Sequence, residues 1–585
     1  MQSRMRLLRK PLISFAVAIA IWVAPGARAA ALAPVRAPHA MVASGHELAS
    51  GAGVEVMRQG GNAVDAAVAT GFALAVVLPE AGNLGGGGFM LLRLANGRAH
   101  FLDFREKAPA AASPDMYLDP KGNLVPEASV VGYRAIAVPG SVAGLVYAEK
   151  KFGKLKLAQV MAPAIRLARQ GFALSERDAR QFHDPALAAF PESRRIFQRD
   201  GRYYQAGDIF KQPELVRTLE RIAADPESFY HGALAQELAA SIQKGGGLIT
   251  AKDLAAYEVK EREPVHGSYR GYEIIAAPPP SSGGIALIEL LNILEGYDLA
   301  KLGNGSAESI HLEAEAFRRA FFDRAELLGD PDFAGVPVAT LMDKHYAAAW
   351  RESLDSRRAS PSAGLRRPVQ VFEKLDRMAA VGEPDNTTHY SVIDSAGNAV
   401  AVTTTLNDLF GSRVTSEGLG FLLNDEMDDF TSKPGAPNMF GLLQGEANAI
   451  APGKRPLSAM APAIVLKDGR LFLVLGSRGG PRIITTVAEV LVGVIDYGMN
   501  IQQAVDAPRF HHQWMPDVLR VEKDGFSPAT GNRLAAMGHK IQEGYTERGK
   551  WHGHWGDAEC VAVDPKTGER LGASDSRYEG KAVGY

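Results

Sequence analysis

The chain has 585 residues, 46% of them hydrophobic and 22% charged, with a formal net charge of −2. That composition excludes a disordered chain and supplies apolar residues for a large core or several domains. The near-neutral balance excludes a global field that would gather nucleic acid or an anionic membrane surface.

At the N-terminus, Arg4, Arg6, Arg9 and Lys10 precede an apolar run over 11–24, and Ala27-Arg28-Ala29 follows as a small-residue cleavage pattern. This predicts a secretory signal over 1–29, because the apolar run is shorter than the ~20 residues a membrane span needs. The expectation is an exported protein, periplasmic or secreted, with no membrane span once the signal is removed. Cys560 is the only cysteine, so stability must come from packing without internal disulfides even though export would permit them.

The stretch 62–78 predicts a small-residue helix packed in a core. The glycines at 85–88 invite a phosphate-loop reading, but no Lys-Ser/Thr follows and they run into a strand over 89–94. With 99–104 this strand predicts a hairpin, and Asn96-Gly97 suits a type I′ turn. Arg105-Glu106 then stands at a strand end, either as a solvated charge pair or reaching into a cleft. The pattern over 142–254 is helical and charged, a scaffold. Residues 278–284 form a rigid turn into an apolar helix over 285–294, and 311–328 predicts an amphipathic helix. Residues 356–383, rich in Arg, Ser and Pro, read as a linker leading to Thr387.

Beyond the linker the pattern becomes strand and turn. Residues 389–394 and 399–405 form a hairpin, and reflection about Ala396 places Thr387 opposite Thr405, with Asn407 on the same edge. A second hairpin, 464–467 with 470–475 about Asp468-Gly469, reflects Ser458 onto Gly479. Gly479-Gly480 precede an apolar helix over 482–497. Amides at a helix N-terminus can receive an oxyanion, although a tight strand-to-helix turn reads the same way. In isolation Thr387 is an ordinary strand threonine. Freed as an N-terminus, it would carry a nucleophilic hydroxyl and an α-amine base in one residue. His511-His512 and the pair His552 and His554 lack a properly spaced carboxylate or cysteine set, so neither a metal nor another cofactor is expected.

These stretches together (60–90, 101–109, 138–140, 278–284, 386–407, 424–430, 454–460, 476–486 and 507–514) resemble the γ-glutamyltransferases, or γ-glutamyltranspeptidases, self-cleaving N-terminal-nucleophile hydrolases. The resemblance implies an α+β fold, a four-layer αββα sandwich built by two chains from one precursor. The large subunit would be 30–386 and the small subunit 387–585. Thr387 would attack the Asn386 carbonyl, and hydrolysis of the ester would free an α-amine of pKa about 7.7–8.0 that can act as a base where an amide cannot. Thr387 would then take the acyl group of a γ-glutamyl amide such as glutathione and pass it to water or to amino-acid and peptide acceptors.

By the same resemblance Thr405 orients Thr387, the amides of Gly479 and Gly480 hold the oxyanion, and Arg105 with Ser458 holds the donor's α-carboxylate. Asn407, Glu426 and Asp429 would accept its α-ammonium. Ala459 stands where many relatives carry a second serine, which implies weaker donor binding. Phe440, in a lid over 434–442, stands where many bacterial relatives carry tyrosine, implying a lid held by packing and easier access for water or bulky acceptors. Trp551 and Trp555 either wall an acceptor site or pack at the surface. Two alternatives stand beside this reading: a glutaryl or β-lactam acylase of the same fold, against which the ammonium cluster counts, and an unprocessed binding protein of the cell envelope.

Overall fold

The strand Thr388–Ile393 is buried at all its positions, as a strand covered on both faces must be. In the computed structural model, which describes residues 33–368, 387–547, 550–552 and 555–585, it belongs to a seven-stranded sheet. The order is Lys581–Gly584, Met41–Ser44, Thr388–Ile393, Ala399–Thr405, Gly87–Arg93, Ala99–Phe104, Lys260–Arg262. An eight-stranded sheet lies against it, ordered Val35–Ala37, Arg570–Ser574, Asp557–Val563, Arg470–Leu475, Ala463–Lys467, Tyr272–Ala276, Val265–Tyr269, with Ser477–Arg478 beside Asp557–Val563.

The two-residue period decides which layer each side chain joins. Phe89, Leu91, Ala401 and Ile393 meet Ile275, Ile464, Val474 and Val561 between the sheets. Met90, Leu92, Val392, Val400 and Val402 turn outward and pack on the helices Ala63–Val77 and Ser141–Phe152. Behind the other sheet lie the helices Gly283–Leu294, Ala307–Leu327 and Arg482–Ile495. The result is a four-layer αββα sandwich of the α+β class. Each sheet combines strands from both sides of residue 387: Thr388–Ile393 pairs with Met41–Ser44, and Ala463–Lys467 with Tyr272–Ala276.

Several local expectations need correction. The hairpin Gly87–Arg93/Ala99–Phe104 closes between Leu94 and Arg98, and Gly97 alone of the central pair has positive φ, +89°. It is therefore not the two-residue type I′ turn; an Asn96 Oδ1 contact from the Arg98 N–H at 3.0 Å stabilises the longer loop. The predicted amphipathic helix over 311–328 is Ala307–Leu327 and is buried on nearly every face, its charges Glu315, Arg318, Arg319 and Asp323 included. Cys560 is buried in the strand Asp557–Val563. The predicted signal over 1–29, the 369–383 part of the linker, and Asn386 lie outside the described residues. Among the described residues no helix is long and apolar enough to cross a membrane.

The helix Ala63–Val77 shows how a polar residue holds this core. Asn62 and Asp65 form a reciprocal cap, and Asp65 also accepts the N–H groups of Lys154 at 3.0 Å and Leu155 at 2.8 Å from the segment after the helix Ser141–Phe152. Asp65→Asn turns an acceptor toward those donors into a donor. We expect the unfolding free energy to fall by about 2–4 kcal/mol, measured from urea midpoints. A loss below about 0.5 kcal/mol would contradict this role.

Candidate active site

The register Thr388↔Thr404 continues the hairpin so that Thr387 meets Thr405, as reflection about Ala396 requires. Their hydroxyl oxygens lie 3.3 Å apart, and both residues are buried. The Thr405 oxygen accepts the Asn407 N–H at 2.8 Å. Asn407 has φ +81°, which turns the chain away from the strand, and its side-chain amide donates to the Asp425 carbonyl at 3.1 Å. The glycine run serves this edge: a Cβ on Gly86 would stand 2.0 Å from the Thr405 carbonyl and one on Gly88 2.3 Å from that of Thr403. Close approach of backbones, and not an anion, requires glycine here. The Asn83 amide, whose importance no local sequence pattern signals, donates to the Thr405 carbonyl at 2.9 Å and accepts from Ser141.

Gly479 and Gly480 have φ of +131° and +50° and lead through Pro481 into the helix Arg482–Ile495. Their carbonyls accept the N–H groups of Arg482 and Ile483, which starts the helix and sets the turn at its positive end. Gly480, Thr387, Thr405, Asn407, Ser458 and Phe440 line one cavity together with Arg105, Glu426 and Asp429. The second hairpin is not the simple reflection expected. A bulge between Val465 and Leu466 shifts the register so that Ala463 pairs with Leu475, which carries the reflection of Gly479 onto Ala459, past the last paired residues. Ser458 is instead held by the turn before Gly283–Leu294, its carbonyl accepting from the Ser282 N–H at 2.8 Å and the Ser282 hydroxyl at 2.6 Å.

The charged residues are together, but paired with one another. Arg105 is buried at the end of Ala99–Phe104 and its guanidinium hydrogen-bonds to both Glu426 and Asp429. It is the cation on which the two acids converge. Tyr257 donates to the Arg105 carbonyl at 2.9 Å, so the backbone is fixed as well. Burial would lower the basicity of Arg105, yet the charges of Glu426 and Asp429 outweigh it and raise it. Burial pushes Glu426 well above the usual carboxylate range against the pull of Arg105. Asp429 is also raised by burial, with Arg105 opposing. Glu106 is pushed up to about 7 by burial, with Arg105 opposing.

The segment 434–442, expected to be a lid, is tied by more than packing. Phe440 is buried in the cavity wall; its carbonyl accepts from the Gln513 amide at 3.2 Å, and the neighbouring Met439 N–H donates to Asp428 at 2.8 Å. Trp555 is buried rather than at the surface, and its carbonyl accepts from Arg509 at 3.0 Å. Trp551 lies in the strand Lys550–His552, paired with Tyr545–Glu547.

Histidine plays structural parts. His389, two residues after Thr387, is held down at about 3 by burial and bonds to Thr403 and Ser391, so it is neutral and engaged. His511 is engaged by Thr485 and Gln513. His552 lies in the strand Lys550–His552, and His554 is outside the described residues. His311, Glu315 and His539 cluster with donor atoms within 4.8 Å of one another. There the two imidazoles bond to each other at 2.8 Å and Glu315 is taken by Arg318 and Arg319.

The raised Glu106 carboxyl makes stability depend on pH. Between about 4.5 and 7 the folded chain keeps a proton that the unfolded chain has lost, so this group's contribution falls as pH rises and is level above 7. Wild type minus Glu106→Gln unfolding free energies, taken across pH 4.5 to 7.5, are expected to decline with a slope of up to about 1.4 kcal/mol per pH unit and then flatten. A difference that is flat or rises across that window would contradict the assignment.

Comparison with known proteins gives a consistent picture. The Gamma-glutamyltranspeptidase family model matches residues 49–585. The chain is 49% identical over 537 residues to a glutathione hydrolase proenzyme of Pseudomonas sp. (strain A14), covering 91% of this chain and 91% of that protein. It is 48% identical over 548 residues to a glutathione hydrolase proenzyme of Escherichia coli (strain K12), covering 93% and 91%. The structure is similar to that of a cephalosporin acylase from Bacillus halodurans, with a TM-score of 0.80 at 28% identity, covering 94% of this chain and 97% of that one.

Proposed function

The chain belongs to the gamma-glutamyltranspeptidase family, and on that premise we propose that it is a γ-glutamyl hydrolase and transferase whose nucleophile is made by cutting its own backbone before Thr387. The observation that carries this reading is the pair of buried hydroxyls, Thr387 and Thr405, 3.3 Å apart on the wall of a cavity lined by charged groups. A hydroxyl neighbour cannot serve as a base near neutral pH, and His389 is neutral and turned to other partners. The base that remains is the α-amine released when the Asn386–Thr387 bond breaks.

In the precursor, Thr387 Oγ adds to the Asn386 carbonyl, the C–N bond breaks as the ester forms, and water hydrolyses the ester. The products are a large subunit, 30–386, and a small subunit, 387–585, after export and loss of residues 1–29. In turnover, the α-amine takes the Thr387 hydroxyl proton while Oγ bonds to the donor's γ-carbonyl carbon. The amides of Gly479 and Gly480 receive the oxyanion. The same proton passes to the leaving amine as its C–N bond breaks. Water or an acceptor amine then attacks the γ-glutamyl ester and regenerates Thr387. Thr405 orients the nucleophile, while Arg105, Ser458, Asn407, Glu426 and Asp429 bind the glutamyl head, and Phe440 closes over it. Glutathione-like donors and amino-acid or peptide acceptors fit this scheme.

A second reading is favoured by one observation: Arg105 is already paired with Glu426 and Asp429 and offsets one of their two charges, so the cavity offers less net negative charge to an ammonium than two free acids would. That suits a glutaryl amide, which has a carboxylate and no ammonium, and accords with the likeness to a cephalosporin acylase. Turnover of γ-glutamyl against glutaryl anilides separates the two, and the proposal expects γ-glutamyl to be preferred.

Denaturing electrophoresis of the wild type should show two chains, the smaller beginning Thr-Thr-His-Tyr, and Thr387→Ala should remain one chain without turnover. A Thr387→Ala protein that still splits at this bond would sink the proposal. Thr405→Ala should process and fold but lose turnover by about 10²-fold.

A further inference from the structure

Arg324, in the last turn of the helix Ala307–Leu327, is a second buried guanidinium on the wall of the same cavity. Its situation differs from that of Arg105. Arg105 is answered by two carboxylates, whereas Arg324 has no ion pair among the described residues. Its Nε donates to the Ser282 hydroxyl at 2.8 Å, and that hydroxyl donates onward to the Ser458 carbonyl at 2.6 Å. One terminal nitrogen, Nη1, is buried with no hydrogen-bond partner. Burial lowers the guanidinium to about 10, with the Asp429 charge opposing and Arg105 adding to the fall. A buried cation with an unused donor and no anion of its own is costly unless something supplies that anion.

The neighbouring wall offers few other groups for a carboxylate. Ala459 presents only a methyl group, and the Ser458 hydroxyl, which accepts the Met460 N–H at 3.1 Å, adds a single O–H donor. Arg324 is fastened to the Ser458 backbone through Ser282, so its fork has a fixed direction and pays little ordering entropy on binding. We propose that Arg324 is a specificity-determining residue that receives the donor's α-carboxylate, supplying the second guanidinium of the subsite and the donor capacity that the alanine at 459 lacks. The inference rests on the reading that the cavity takes a γ-glutamyl or glutaryl acyl group.

The test compares wild type, Arg324→Gln and Arg324→Lys, all autoprocessed, by titration calorimetry with three small ligands. Glutamate carries both charges, glutarate lacks the ammonium, and 4-aminobutyrate lacks the α-carboxylate. Arg324→Gln should weaken glutamate and glutarate by about tenfold or more and leave 4-aminobutyrate within about twofold. Arg324→Lys should recover part of the loss for the first two ligands. In turnover of a γ-glutamyl anilide, KM should rise in Arg324→Gln with kcat little changed. Equal weakening of all three ligands would mean that Arg324 merely holds the wall through Ser282, and would overturn the proposal. Weakening confined to glutamate and 4-aminobutyrate would assign it to Asp429 instead, and would also overturn it. If Arg324→Gln fails to fold, Arg324→Lys against wild type carries the same comparison, with the two carboxylate ligands expected to weaken more than 4-aminobutyrate. Wild-type protein that binds these ligands but turns over neither γ-glutamyl nor glutaryl anilide would defeat the functional reading alone.

Discussion

The antiparallel register of one buried hairpin governs the rest of the site. Because Thr388 pairs with Thr404, the residue before the strand and the residue ending its partner must meet. A slip by one position would turn every side chain to the opposite face and exchange the layers of the core. The inward and outward apolar sets of Thr388–Ile393 and Ala399–Thr405 pack against different helices and sheets, and those contacts hold the register. Close behind the hairpin, the glycines at 86 and 88 let the next strand approach without a Cβ, and Asn83 takes up the Thr405 carbonyl. The surroundings of Thr387 are thus a property of the whole sandwich.

The second constraint is electrostatic. Three acids and two arginines gather in a region of low polarity, where an unpaired charge is expensive. Arg105 meets this by bonding to Glu426 and Asp429, and Glu106 by holding its proton to about pH 7. Under the proposed function, a donor with both an ammonium and a carboxylate would enter without changing the net charge, exchanging protein partners for its own. Charge-neutral exchange of this kind favours a zwitterionic head over a singly charged one, and the two cations and two anions lining the cavity match that pattern.

Much of this was legible from residue patterns. The Thr387–Thr405 meeting followed from strand alternation and a turn of known centre, since hairpin pairing is local. The helix after Gly480 and the buried strand around Cys560 also followed, whereas the sandwich came from the family resemblance and not from local patterns. What failed were features set by contacts far along the chain. The bulge at Val465 and Leu466 moved a reflection by one residue, and the loop after Leu94 proved longer than Asn96-Gly97 suggests. The pairing of Arg105 with acids more than three hundred positions away was invisible locally. Arg324 sits in a helix whose spacing suggested a solvated face, and only the packing of Gly283–Leu294 and the 458–460 segment around it shows that it is buried.

The central claim is that a threonine freed at residue 387 carries the acyl group. The most direct measurement is mass spectrometry of the protein quenched during turnover of a γ-glutamyl donor, with peptide mapping of the adduct. The account predicts one γ-glutamyl ester, on a peptide whose N-terminus is Thr387. An adduct on another residue, or full turnover with the 387 peptide absent from the digest as an N-terminus, would contradict it.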